Sequence, residues 1–219
     1  MNHMIMKWIV CKVNRDSKEE FSQAQEQWAA LYEVQGFLGQ IGGCNLRQPL
    51  EACIISFWKD HASYQNFMSR IHDQIFYKSN QKQTYNSITI ALCESILDIP
   101  GTYGHILTSL GKGTVLRIAD CTLYKDRIKH FIEAQKDFWN PGMSNANGML
   151  AGVLNKVLGI PNRYLVATLW TDEIFHQNDL ETMVPVLQER SQYKKIIESI
   201  DEKIIQLQDS WTVIGNNKE

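Results

Sequence analysis

Ser56 and Trp58 stand two residues apart near the end of an apolar run, and Thr168 and Trp170 repeat the pair 112 positions later. Residues two apart in a strand share a face, so each pair sets a hydroxyl beside an indole N–H. That combination suits an aromatic or apolar ligand held by stacking and oriented by a few hydrogen bonds. Trp8, Lys12 and Asn14 share one parity of another strand-like run, and Asp120 and Thr122 share one parity of its counterpart. Gln208 and Ser210 add polar groups near the C-terminus. The chemistry expected of these eleven residues is ligand binding, and no catalytic residue is assigned.

Motifs with stronger chemical content are absent from the sequence. The six histidines form no HExxH and no Cys/His cluster of zinc-like spacing, so no metal site is expected. The five cysteines include no CxxC, and four lie in apolar strand-like stretches where a reduced thiol packs as a small hydrophobe. There is no GxSxG, no P-loop and no GxGxxG. Gly36, Gly39, Gly42 and Gly43 are expected to mark strand bulges. Glu94 and Asp209 each follow an apolar alternation and read as equivalent carboxylates, which suits either acid–base chemistry or a solvated strand end.

The elements that position these residues occur twice. Phe21-Ser-Gln-Ala-Gln-Glu-Gln-Trp28 resembles Phe131-Ile-Glu-Ala-Gln-Lys-Asp-Phe138 at an offset of 110, which Cys11 and Cys121 also keep. Gly36-Phe-Leu-Gly39 and Gly148-Met-Leu-Ala151, then Phe57-Trp-Lys-Asp60 and Leu169-Trp-Thr-Asp172, are related by 112. The second copy therefore gains two residues, placed here at Asn140-Pro-Gly142. The first copy reads as strand 7–13, helix 17–33, strands 36–46 and 51–58, helix 60–77 and strand 87–96. Ser17 with Glu20 fits a capping box, and Asp60 fits an N-cap. The second reads as strand 114–123, helix 125–139, strands 148–157 and 164–170, helix 172–190 kinked or broken at Pro185, a short helix 191–199 and strand 204–214.

The order βαββαβ is the ferredoxin-like unit, whose sheet carries helices on one face only. The fold class expected is α+β, with residues 4–97 as the first repeat, 98–113 as a linker and 114–215 as the second repeat. Their helix-free faces are expected to cover one another, giving a single-chain "dimeric" α+β barrel. The uniformly apolar strand faces, Ile9-Cys11-Val13, Cys53-Ile55-Phe57 and Leu165-Ala167-Leu169, are assigned to the helices. The mixed faces, carrying Trp58 and Trp170, are assigned to the barrel interior, with Lys12 able to pair with Asp120. The alternative is a filled interface in which these side chains only interdigitate.

Composition narrows the partners. Hydrophobic residues make up 44% and charged residues 21% of the 219, and the formal net charge is -2. That leaves no basic excess for nucleic acid. No apolar run approaches the roughly 18 residues that span a bilayer, and the apolar start at 4–13 lacks a cleavage site, so it reads as a strand. Residues 1–3 read as a leader outside the fold. The expectation is a cytoplasmic protein, monomer or homodimer, with a small-molecule ligand.

The tandem βαββαβ order and the aromatic-Trp-x-Asp signature at Phe57–Asp60, with Leu169–Asp172 in the second copy, resemble the dimeric α+β barrel superfamily. This superfamily includes antibiotic-biosynthesis monooxygenase-like and haem-degrading proteins. The whole chain is also similar to an uncharacterised bacillus-type family, the YdbC-like proteins. The resemblance implies a pocket for a small molecule and admits cofactor-independent oxygenation. Haem-degrading members use an Asn on the first strand, which Asn14 matches, and a Trp and a His on the second helix. Those two positions fall on Phe67 and Tyr77 here, and on Asp179 and Glu189 in the second copy. No cofactor is expected, haem included. The competing readings are a non-catalytic binding or sensing protein and a structural pseudo-dimer.

Overall fold

The computed structural model describes residues 4–216, so the expected leader at 1–3 lies outside it. The chain forms two compact units. One runs to Glu94 and includes the chain from Ile205 onward, and the other is Ser95–Ile204.

In the first unit β1 (Ile5–Val13), β2 (Phe37–Asn45), β3 (Gln48–Trp58) and β4 (Tyr85–Ile99, to Glu94 in this unit) form an antiparallel sheet. Their order is β2-β3-β1-β4, as the βαββαβ pattern requires. Helix α1 (Lys18–Glu26) continues into a 3-10 segment, Gln27–Glu33. Ser17 makes no side-chain cap bond, so the expected capping box is not formed. The expected helix 60–77 is two helices, α2 (His61–Arg70) and α3 (His72–Ser79), which part at Ile71.

The second unit repeats the plan after a single-turn helix, α4 (Ile106–Ser109). Strand β5 (Val115–Leu123) leads into α5 (Ile128–Ala134), a π turn at Gln135–Trp139, and α6 (Asn140–Ser144). A π turn takes up inserted residues without ending a helix. Asn140-Pro-Gly142, where the two added residues are expected, follows the turn directly and lies within α6. Strands β6 (Met149–Val157) and β7 (Arg163–Trp170), helix α7 (Glu173–Ser191) and β8 (Ile197–Leu207, to Ile204 in this unit) complete it.

Three expectations near the C-terminus are corrected. Pro185 lies inside α7, which runs on through it, so of the kink or break expected the break does not occur. The carbonyl that it leaves without an N–H belongs to Glu181, an exposed residue that water can serve. The segment 191–199 holds only a 3-10 turn, Tyr193–Lys195, before β8 begins. The last strand ends at Leu207. A 3-10 turn at Asp209–Trp211 and the short β9 (Val213–Ile214) follow, and β9 pairs with β2. Trp211 thereby packs edge-on to Phe21 of α1, with ring centroids 5.6 Å apart.

Two features recur at repeat-related positions. Gly36 and Gly148 both have φ near +79°, and a Cβ at either would meet the first turn of the following helix, at Ser63 or Phe175. Asp60 and Asp172 both cap those helices, accepting the N–H of Ser63 at 2.8 Å and of Phe175 at 3.1 Å. Asp60→Ala and Asp172→Ala are each expected to lower stability by about 1 kcal/mol, the usual cost of a lost N-cap, with asparagine at either position retaining most of it. Urea unfolding measures this, and an unchanged midpoint for both alanine variants would remove the caps as stabilising elements.

Candidate functional site

Strand register decides what each strand shows to the helices. Lys7 pairs with Ser56 and Ile9 with Ile54, so odd positions of β1 share a face with even positions of β3. The expected face assignment therefore holds for Ile9, Cys11 and Val13 but is reversed for β3. Trp58 stacks on Phe67 of α2 with centroids 4.6 Å apart, and meets Tyr64 and Phe37 edge-on at 5.8 and 5.2 Å. Cys53, Ile55 and Phe57 take the opposite face. The same reversal applies to β7, because Arg117 pairs with Thr168 and Val115 with Trp170. Trp170 lies edge-on to His176 of α7 at 5.3 Å, within the core that includes Phe131 and Leu187. Both faces of β3 and β7 are apolar and buried, so hydrophobicity alone does not say which one meets the helices.

Between the sheet and helices of the first unit lies a cavity of about 60 Å³. Trp28, Trp58, Phe67, Phe76 and Tyr85 supply its aromatic wall. Its polar groups are Lys7, Gln25, Gln40, Ser56 and Gln81. Gln81 accepts the Trp28 indole N–H and donates to Gln25 Oε1, each at 2.9 Å, which fixes three side chains of the wall. Ser56 accepts the Trp58 indole N–H at 3.2 Å. The hydroxyl keeps its own proton to donate. On the β4 side the floor is Ile88 and Ile90, 41% and 54% exposed, so the cleft opens over apolar surface.

Lys7 is the unusual member. It is 6% exposed, and among the described residues its ammonium meets the Met68 sulfur at 4.0 Å and the Tyr64 ring at 5.7 Å. Burial lowers its pKa to about 8, an effect that the neighbouring Cys11 partly offsets. Burial pushes the Cys11 thiol up to about 12 and raises the Tyr64 and Tyr85 hydroxyls, so these neighbours are neutral at pH 7.

The second unit has a counterpart cavity of about 40 Å³ lined by Arg117, Cys121, Gln135 and Glu202. Arg117, Cys121 and Gln135 follow Lys7, Cys11 and Gln25 at the offset of 110. Thr168 accepts the Trp170 N–H at 3.0 Å, as Ser56 does for Trp58. Here the cation has partners. Arg117 is ion-paired with Glu202, and its charge also acts on the buried Asp179. Burial raises the Asp179 carboxyl to about 6 despite that cation.

The other residues expected in the site lie elsewhere. Trp8 is buried on the far face of β1, opposite Ile55 and Ala91. Lys12 is exposed and pairs with Glu51 at 2.7 Å, and Asp120 pairs with Arg163 at 2.5 Å, so the expected Lys12–Asp120 pair is not the one formed. Asn14 donates to the Gln83 carbonyl at 3.2 Å. Thr122 is half-buried on the same face as Arg163, and Gln208 and Ser210 are exposed beyond the end of β8. Asp209 sits in the 3-10 turn, so it is not the strand equivalent of Glu94. Of the eleven, Ser56 and Trp58 line the first cavity, and Thr168 and Trp170 hold the matching places in the second unit. Lys7 and Arg117 were missed, although a charge inside an apolar run, recurring at the offset of 110, marks both.

Among the described residues no group of three or more His, Cys, Asp and Glu is placed to hold a metal, and no helix is long and apolar enough to cross a membrane. No disulfide joins any of the five cysteines.

A family model described as a domain of unknown function, DUF4937, matches residues 5–93. The uncharacterised protein YdbC of Bacillus subtilis is 38% identical over 93 residues, which cover 42% of this chain and 78% of YdbC. The chain belongs to the YdbC family. Among solved structures, this YdbC-family chain is similar to a protein of Fusobacterium nucleatum provisionally named a monooxygenase. The TM-score is 0.77 at 16% identity, covering 94% of this chain and 93% of that one. A Lactobacillus acidophilus protein, also provisionally named a monooxygenase, gives a TM-score of 0.75 at 12% identity, covering 97% and 96%. At such identities the likeness shows the fold. The YdbC-family chain thus has an α+β fold of two ferredoxin-like repeats in tandem, the fold of these two proteins.

Proposed function

We propose that the protein binds a small apolar or aromatic molecule in the cleft between the sheet and helices of its first unit. The observation that carries this reading is the convergence of Lys7 and Ser56 on a cavity walled by five aromatic side chains and open over Ile88 and Ile90. The enclosed volume is below the roughly 300 Å³ of a common ligand pocket. A ligand therefore inserts one end, and its remainder lies along the exposed isoleucines. Titration with small aromatic alcohols and carboxylates is expected to quench tryptophan fluorescence through Trp28 and Trp58. Trp58→Phe should remove most of the response. An undiminished response in the Trp28→Phe, Trp58→Phe double variant would move the ligand to another place.

A second reading is cofactor-independent oxygenation of the bound molecule. What favours it is that both similar structures are provisionally named monooxygenases on the same fold. Oxygen uptake with the bound aromatics separates the two readings, since a pure binding protein consumes none.

A further inference from the structure

The two halves of the chain carry a buried cation at the same repeat position, Lys7 and Arg117, in opposite electrical circumstances. Arg117 of the second unit is neutralised from within, by Glu202 and by the nearby charge of Asp179. Glu202 stands 112 positions after Ile90, and Asp179 stands 112 positions after Phe67, the offset that relates Trp58 to Trp170. The first unit thus has an isoleucine and a phenylalanine where the second has carboxylates. Lys7 is 94% buried by the same measure that leaves it 6% exposed, and no carboxylate of the described residues pairs with it. A buried charge without a partner is costly, and a fold under no other demand would replace it with an apolar side chain. Arg117 is needed by its own carboxylates; nothing within the first unit needs Lys7.

We infer that Lys7 is the seat for an oxyanion carried at one end of an apolar ligand, and that the second cleft, already neutralised by its own carboxylates, takes no anion. This rests on the binding reading above and adds the ligand's charge class. The buried Ser56 hydroxyl, directly across from Lys7, offers a second donor to the same oxyanion. Phe67 and Trp58 flank the ligand end, and Ile88 and Ile90 bed its apolar body. Charge-assisted hydrogen bonds in such a dry site outweigh neutral ones by a wide margin, so the ligand's charge decides affinity.

The test compares 4-fluorobenzoate with 4-fluorobenzamide, which share a ring and differ in charge, by ¹⁹F NMR titration of the full chain at pH 7. The expected result is at least a tenfold preference for the benzoate, falling to near parity in Lys7→Met. Ile90→Glu, which copies the second unit by giving the cation a carboxylate, should also remove the preference, and it serves if Lys7→Met does not fold. A benzoate preference that survives both substitutions overturns the inference. Equal binding of both probes to the native protein overturns it too, while leaving the cleft reading intact. Binding of neither probe sinks the cleft reading and the inference together.

Discussion

Lys7→Met is expected to make the protein more stable at pH 7. The native ammonium is held in a site that lowers its pKa from 10.5 to about 8, chiefly through burial. A shift of that size corresponds to about 3 kcal/mol of penalty on the charged form. Methionine matches the length of the stem, needs no counter-charge and joins Met68 and Phe67 in the wall. The unfolding transition that reports the first unit should rise by roughly 6–12 °C for a chain of this size. The sign with pH follows from proton counts. Below pH 8 both folded and unfolded lysine are charged, and the full penalty operates. Between about 8 and 10.5 the folded amine is neutral while the unfolded one still binds a proton, so the native protein gains on the variant as pH rises. Above 10.5 the difference should be small. Melting curves at pH 7 and pH 10 measure this, and a variant less stable than the native chain at pH 7 would show that Lys7 has a favourable partner.

Arg117→Met, at the equivalent position, is expected to act with the opposite sign. It strips the partner from Glu202 and removes the cation nearest to Asp179, whose Oδ1 is buried without a hydrogen bond. Removing one member of a buried ionic group costs about 3–5 kcal/mol, because the remaining charge stays uncompensated. Glu202 retains some exposure, which places the expected loss toward the lower end. Adding Glu202→Gln should recover part of the loss, since it withdraws the orphaned charge. Equal melting temperatures for native protein and Arg117→Met would refute the ionic account of the second cleft. Together the two substitutions separate a cation retained for structure from one retained for a ligand.

The repeat was legible in the sequence because it rests on identities in order: Cys11 and Cys121, Ala24 and Ala134, Trp58 and Trp170. From it came the βαββαβ order and the matching N-caps at Asp60 and Asp172. The faces of β3 and β7 were not legible. Period-two alternation distinguishes buried from exposed, and these strands are buried on both sides, so only the pairing register says that Trp58 shares a face with Lys7. The C-terminal strand was misplaced for a related reason. Ile205, Leu207, Trp211 and Val213 continue an apolar alternation that the 3-10 turn at Asp209–Trp211 interrupts without changing its pattern. Lys7 was visible, but a single lysine in an apolar strand reads as an edge or a snorkelling side chain. Its weight appears only beside Arg117, once the offset of 110 is applied to charges as well as to aromatics.

The first unit is discontinuous in the chain, since its N-terminal 94 residues fold together with the stretch that begins at Ile205. Trp211, from that late stretch, lies against Phe21, and the Trp211 carbonyl holds Gln40 of β2. During synthesis the residues up to Glu94 therefore wait for the stretch from Ile205 to complete their unit, while the contiguous unit between them has all its parts before that stretch is made. The nascent chain thus completes the unit Ser95–Ile204 before the other, and the cleft of the first unit gains its full set of neighbours only once the stretch from Ile205 is present.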